Sequence, residues 1–331
     1  MEKPLRFQLL VATFAIGGAL VFTGGAPRPT PAFTFQDPAI DESSGLVDSG
    51  STVLTVNDSG SGPEIFVVDK TTGETVGRTI YTSDEVVDVE AIAPGRDGTV
   101  WVGDIGDNGA RRISVAVYEV PTPGPGDRTE EATRYDLAYL GGPRDAETLL
   151  VHPCTGRLYV VSKGLFSGQV LAAPRTLRTD AVNVLRPVGG APGLVTDGAF
   201  FPDGRHVVLR TYSTMAVHDA RSWESEVSAE LPDQPQGEGL AMLPSGRQVL
   251  VSTEGANTDV LSVPLGRKLL AALAPAAAVP ARPGAAPRRS AEEDGPSTGQ
   301  VVGVSAAGLA AVTAVLLLWR GRRGRQSRST T

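Results

Sequence analysis

Five segments of this chain repeat one another, and that repetition limits the fold more than any other feature. Each opens on a small or acidic residue, runs through an apolar stretch, turns at a Gly-containing loop and ends a second apolar stretch in polar residues. They are ESSGLVDSGSTVLTVNDSG from Glu42, DVEAIAPGRDGTVWVGDIGDN from Asp88, DAETLLVHPCTGRLYVVSKG from Asp145, TDGAFFPDGRHVVLRTYS from Thr196 and GEGLAMLPSGRQVLVSTEG from Gly237. Anchored on Ser44, Glu90, Glu147, Asp197 and Glu238, they recur at intervals of 41 to 57 residues. A period of roughly 40–50 residues without helical periodicity is the signature of blades in a β-propeller.

The local signals agree. The turns PGRDG, PCTG, FPDG and LPSG supply the Pro, Asp and Gly that hairpin loops need. TVWVG, RLYVV and HVVLR are strands by their β-branched and aromatic content. Outer strands follow each pair: EIFVVD and TVGRTIY, then ISVAVYEV and ATRYDLAYL, then TMAVHD and SEVSAEL in the fourth repeat. The fifth repeat has TDVLSVPL but no outer strand, and the N-terminal PAFTF is expected to provide it, closing the ring from both chain ends and leaving no bare edge. The expected fold class is therefore all-β, a propeller of four-stranded blades over residues 27–268, five in number with six as the alternative. The Gly/Pro-rich segment Pro121–Glu131 is expected as a long rim loop.

The ends of the chain predict export and anchoring. Residues 1–26 pair a basic start (Lys3, Arg6) with an apolar run and small residues, the pattern of a signal peptide. Residues 269–300 are Pro- and Ala-rich and read as a stalk. Residues 301–319 carry no charge, enough for one transmembrane helix, and the arginine-rich tail 320–331 follows, cytoplasmic by the positive-inside rule. The expected location is thus the cell membrane, single-pass, with the propeller extracytoplasmic. Net charge is −7, but the basic ends leave −13 on residues 27–319. So acidic a body repels phosphate backbones, which excludes nucleic acid as a partner and favours cations or basic ligands, an extracellular molecule or protein among them. Cys154 is the only cysteine, so no internal disulfide braces the domain.

In a blade the first strand lines the channel and the second runs back beside it. Starts of first strands and ends of second strands therefore meet at one channel mouth. The starts supply Ser44, Glu90, Glu147, Asp197 and Glu238; the ends supply Asn57, Asp58, Asp104, Lys163, Arg210 and Glu254. A ring of carboxylates repels itself unless protonated or neutralised. A Ca²⁺ ion, which takes several oxygens in loose geometry, is the expected solution, with Ser44, Glu90, Glu147, Asp197 and Glu238 as its ligands. The loop GDIGDNGARR (Gly103–Arg112) adds the oxygen donors Asp107 and Asn108, and Asp104 is a candidate general base. Asn57, Asp58, Asp107, Asn108, Lys163, Arg210 and Glu254 are candidate ligand- or phosphate-binding groups. The competing expectation is that the acids cap strands or pair with Lys163 and Arg210. The G-x-S-x-G, H-E-x-x-H, Walker and dinucleotide signatures are missing, and His152, His206 and His218 form no triad.

The strings NDSGSGPEIFVVD, DVEAIAPG, WVGDIGDNGARR, DAETLLVHPCTGRLYVVSKG, VTDGAFFPDGRHVVLRTYS and GEGLAM resemble a group of uncharacterised bacterial exported propellers described as phytase-like, esterase-like-phytase or gluconolactonase-like. GDIGDN is the most specific piece. The resemblance implies the propeller fold. Through better-understood relatives, calcium-dependent apyrases and propeller phytases, it also implies a channel Ca²⁺ and hydrolysis of phosphoesters, nucleotides or lactones. Two functions follow as expectations: a membrane-tethered binding propeller holding Ca²⁺, and a calcium-dependent hydrolase.

Overall fold

The computed structural model describes residues 29–58, 61–83 and 86–273. The expected signal peptide, most of the stalk, the expected transmembrane helix and the basic tail lie outside the described residues. Among the described residues, no helix is long and apolar enough to cross a membrane.

After strand β1 (Thr30–Thr34) the chain builds four-stranded antiparallel units in order. The first holds β2 (Ser43–Ser49), β3 (Thr52–Asn57), β4 (Glu64–Asp69) and β5 (Thr75–Tyr81). The second holds β6 (Val89–Pro94), β7 (Thr99–Asp104), β8 (Val115–Pro121) and, after the short β9 (Arg128–Glu130), β10 (Thr133–Tyr139). The third holds β11 (Ala146–Val151), β12 (Leu158–Ser162), β13 (Ser167–Ala172) and β14 (Asn183–Pro192), and β14 also pairs parallel with β10, so that the second and third units share one eight-stranded sheet. The fourth holds β15 (Val195–Phe200), β16 (His206–Thr211), β17 (Thr214–Asp219) and β18 (Ser225–Glu230). The last holds β19 (Gly237–Met242), β20 (Gln248–Thr253) and β21 (Asp259–Pro264), with β1 as its outer strand. β1 pairs antiparallel with β21, Phe33 opposite Val260 and Thr34 opposite Asp259. The N-terminal PAFTF segment thus closes the ring as its composition predicts.

The core explains why the second strands are apolar on both faces. Side chains alternate across a strand, and here each face of a sheet packs against a different neighbour. Leu54 packs with Ile92, Val102 and Tyr118 of the second unit, while the adjacent Val53 packs with Leu250 and Val260 of the last. Val160 faces Trp101 and Val117, whereas Val161 faces Val207 and Leu209. Val208 and Val217 of the fourth unit meet Val249 and Val251 of the last. Apolar clusters therefore lie between every pair of neighbouring units, including the last and the first. The innermost strands β2, β6, β11, β15 and β19 touch one another in sequence, and β19 touches β2. This closed arrangement is a β-propeller.

Two segments depart from expectation. The stretch expected as a rim loop places β9 parallel to β5 at the edge of the first unit, Thr79 opposite Arg128. The Asp127 carboxylate accepts the Arg78 N–H at 2.9 Å, so this stretch is a strap on the sheet edge and accounts for the longest interval between repeats. At the C-terminal side, helix α1 (Arg267–Ala272) buries Leu269 in the cluster between the fourth and last units. The boundary drawn at residue 268 falls inside this helix.

At one end of the channel, a cavity of about 240 Å³ is lined by Leu46, Ile92, Leu149 and Leu240 and by the turn prolines Pro94 and Pro202. The acidic residues gather at the other end.

Candidate functional site

Every innermost strand carries one irregularity near its start. The register shifts between Ser43 and Leu46, Val89 and Ala91, Ala146 and Thr148, Val195 and Asp197, and Gly237 and Leu240. Each is one residue inserted against the second strand, a β-bulge, which re-aims the side chain of the extra residue. Pairing of the preceding residues, Ser43 with Asn57, Val89 with Asp104, Ala146 with Ser162, Val195 with Thr211 and Gly237 with Thr253, sets the equivalence. The ring at the mouth is therefore Ser44, Glu90, Glu147, Thr196 and Glu238.

Asp197 stands one place further on and does other work. Its Oδ1 accepts the Gly198 N–H at 2.7 Å and its Oδ2 the Leu240 N–H at 2.6 Å, joining the fourth unit to the last. Burial pushes its carboxyl up to about 7 against those bonds. Thr196 and Ser44 confirm the equivalence chemically. The Ser44 hydroxyl donates to the Glu90 carbonyl at 2.8 Å, and the Thr196 hydroxyl donates to the Glu238 carbonyl at 3.1 Å. These hydroxyls are interblade ties.

The carboxylates converge on the first three units. Oxygens of Asp58, Asp88 and Glu90 lie within 4.8 Å of one another, and so do oxygens of Glu90, Asp145 and Glu147. Glu90 and Glu147 are 2% and 4% exposed. Burial drives the Glu90 carboxyl strongly upward, and repulsion from Glu147, Asp58, Asp88 and Asp145 adds to it. Burial also raises Glu147, partly offset by the Lys163 ammonium, which hydrogen-bonds it. Burial alone would lower Lys163, but Glu147 overrides it and holds the ammonium up. Lys163 also lies 5.4 Å from the Tyr212 ring centroid.

The opposite side of the mouth holds Glu238 and Glu254. Burial, then repulsion from Glu147, pushes Glu238 up to about 8. Among the described residues, its Oε1 receives only a long bond from Gln236, 3.4 Å, and its buried Oε2 has no hydrogen-bond partner. Glu254, half-buried and bonded by Gln236, is pushed to about 7 by burial and by the charges of Asp58 and Glu42.

The GDIGDN loop is the scaffold of this cluster. Asp104, 1% exposed, accepts the Asp88 N–H at 2.9 Å and the Arg112 guanidinium at 2.8 Å. Held in that way it belongs to neither triad. A Cβ on Gly106 would stand 2.4 Å from Asp88 Oδ2 and 2.6 Å from Glu90 Oε1, so only glycine leaves room for these acids. The Asp107 N–H fixes the Asp145 carboxylate at 2.9 Å, and the Asp107 carboxylate accepts the Arg112 N–H at 2.7 Å. Arg112 then donates to the Gly106 carbonyl at 2.7 Å. Asn108 is exposed and belongs to neither triad.

Two other candidates are structural. Asn57 donates to the Ala39 carbonyl at 2.7 Å and to Asp41, tying the N-terminal segment to β3. Arg210, fully buried, gives its donors to the Gly239, Ser252 and Thr211 carbonyls and to Gln234. Burial lowers it to about 10. It offers nothing to a phosphate. Asp88 and Asp145 are site residues that the repeat alignment passed over. The signal was the D-x-E spacing shared by the second and third repeats, Asp88-Val-Glu90 and Asp145-Ala-Glu147.

No protein-family profile matches the chain, and no curated protein matches it. Among solved structures, a chain of the mitotic checkpoint complex is similar at 12% identity with TM-score 0.38, over 67% of this chain and 63% of that one. The β-propeller domain of Cps50 (Swd1) from Myceliophteria thermophila is similar at 14% identity with TM-score 0.36, over 66% of this chain and 64% of that one. The chain thus matches less than two thirds of the length of either. The propeller fold rests on the strand pairing and the ring of cores rather than on these scores.

Proposed function

We propose that the chain is a five-bladed binding propeller, exported and held at the membrane by its C-terminal apolar segment, whose channel mouth takes one Ca²⁺ ion between the first three blades. The observation that carries this reading is the sharing of Glu90 between two triads of carboxylate oxygens, each within 4.8 Å. Oxygens bound to one Ca²⁺ at about 2.4 Å lie no more than about 5 Å apart, so the spacing within each triad suits an ion, with Glu90 common to both. In this reading Glu90 is its central ligand, with Asp58 and Asp88 or Asp145 and Glu147 beside it; Ser44, Asp197 and Glu238 are not ligands. A cation also offsets the burial and mutual repulsion that otherwise keep Glu90 protonated.

A second reading, a calcium-dependent hydrolase of phosphoesters, nucleotides or lactones, draws on Glu238. A carboxyl pushed to about 8 with an unpartnered oxygen can exchange a proton near neutral pH. No nucleophile–base pair accompanies it among the described residues, which puts binding first.

Calorimetric titration of the full-length chain with CaCl₂ tests the ion. One site per chain is expected, with a dissociation constant in the roughly 10⁻⁴–10⁻³ M range of extracellular calcium modules. Glu90→Gln should abolish the heat of binding, and Asp197→Asn should retain it. Absence of binding by the wild type, or equal loss in both variants, would sink the assignment.

A further inference from the structure

The binding reading leaves open what the mouth recognises, and the apolar side chains around it bear on that. Phe166 is 91% exposed, Ile113 86% and Leu165 68%. All three stand on the mouth face. Leu165 and Phe166 follow Lys163, whose ammonium reaches Glu147 in the mouth itself. Ile113 follows Arg112, whose guanidinium holds the Gly106 carbonyl beside the acidic cluster.

The Leu165–Phe166 turn is braced. The Leu194 N–H donates to the Gly164 carbonyl at 2.8 Å. The backbone of Leu165 and Phe166 presses on Gly193, where an added Cβ would meet the Leu165 carbonyl oxygen and the Phe166 carbonyl carbon at 2.7 Å each. The chain is thus held in a form that displays the phenyl ring to water. Apolar side chains held out into water beside a polar site are surface that a second molecule can cover.

Across the mouth from these side chains stand further carboxyl groups. Lys163 is engaged by Glu147, while Glu238, 4% exposed, keeps one buried oxygen without a donor among the described residues. Glu254 adds a second carboxylate next to it, bridged by Gln236. A buried acceptor without a partner is costly, and a ligand that brings a charged N–H donor removes that cost. A simple cation would satisfy Glu238 but leave Phe166, Leu165 and Ile113 bare. An anionic membrane would cover the apolar groups but be repelled by the acids.

Resting on the reading of the mouth as a binding site, we propose that this face docks a polypeptide segment presenting a lysine or arginine among apolar residues. The cationic head enters beside Glu238 and Glu254, and its apolar neighbours cover Phe166, Leu165 and Ile113. Charge complementarity sets the entering residue, and the displayed side chains set its neighbours.

The test is fluorescence anisotropy of the full-length chain with a labelled, capped hexapeptide in which one lysine is flanked by leucines. Its comparison peptide carries norleucine in place of lysine, and both are titrated in EDTA and in CaCl₂. The lysine peptide should bind at least about tenfold more tightly than the norleucine peptide. Glu238→Gln and Phe166→Ser should each weaken it about tenfold, whereas Arg247→Ala, in the turn at the far end of the channel, should change nothing. Neither mouth variant is expected to lower the melting temperature, since one exchanges a buried carboxyl for an amide of the same shape and the other removes an exposed ring. Binding in EDTA with no calcium heat would fail the ion alone; calcium heat with no lysine preference would fail this proposal alone. Equal binding of both peptides, no binding of either at millimolar concentration, or capture by phosphatidylserine vesicles in its place would overturn it.

Discussion

At the scale of residues, the bulge decides which acids reach the mouth. Glu90 and Glu147 are the inserted residues of β6 and β11, whereas Asp197 follows the inserted Thr196 in β15 and turns its carboxylate to backbone N–H groups. Gly106 is as important as any acid, because Asp88 and Glu90 occupy the space a side chain would fill. Gly106→Ala is therefore expected to push these two oxygens apart and weaken calcium binding by about tenfold or more, with a loss of stability of about 1–3 kcal/mol for overpacking. Calorimetry and urea unfolding of the variant check both; calcium binding unchanged from wild type would separate Gly106 from the site. Composition and repeat spacing made Ser44, Glu90, Glu147 and Glu238 legible as mouth residues. They could not place Asp197, because a one-residue bulge leaves no mark on a count of intervals. Nor could they separate the role of Asp104, which positions the Asp88 backbone, from that of a ligand. In type these residues are alike; only the strand register tells them apart.

Among elements, β1 matters out of proportion to its length. Its Phe33 is buried, and the following Phe35 and Ile40 complete the cluster between the last and first units, with Phe66 and Val260. Closure by residues from opposite ends of the chain ties the whole ring to one strand pairing. Phe33→Ala should cost roughly 3–5 kcal/mol, measured by urea unfolding, with calcium affinity of the folded protein unchanged. A loss below about 1 kcal/mol would show that β1 does not close the ring. The missing outer strand of the fifth repeat made this closure readable beforehand. The β9 strap was not readable, because its Pro- and Gly-rich lead-in (Pro121–Gly126) carries the composition of a loop, and its pairing to β5 depends on a contact across the sheet edge. Helix α1 hid for a related reason: the Ala- and Leu-rich start of the stalk differs little in composition from a short amphipathic turn, and only the burial of Leu269 assigns it to the core.

Over the whole molecule, the acidic mouth makes stability depend on pH and on cations together. Glu238 and Glu254 have folded pKa values raised to about 8 and about 7, and Glu90 and Glu147 are raised by burial as well. The native state therefore holds protons that the unfolded chain has already released. The stability these groups contribute is fully present below their unfolded pKa near 4.5 and is lost as pH rises through 7 to 8. Asp37, Asp69, Asp203 and Asp219 are lowered, so their contribution is lost only in acid, below about pH 4. His218, lowered by burial, acts in the opposite sense but has largely saturated above about pH 6.5. Calcium takes the place of the protons on Glu90 and Glu147, so its effect must grow with pH. The decisive measurement is the melting temperature of the full-length chain at pH 6.5 and 8.5, in EDTA and in calcium at about 100 times its dissociation constant. In EDTA the melting temperature should fall between the two pH values. Calcium should raise it at pH 8.5 by about 5–10 °C, the equivalent of about 2.7 kcal/mol for a domain of this size, and by less at pH 6.5. Superimposable melting in EDTA and calcium at pH 8.5, or stability that rises with pH in EDTA, would contradict a cation site built on Glu90.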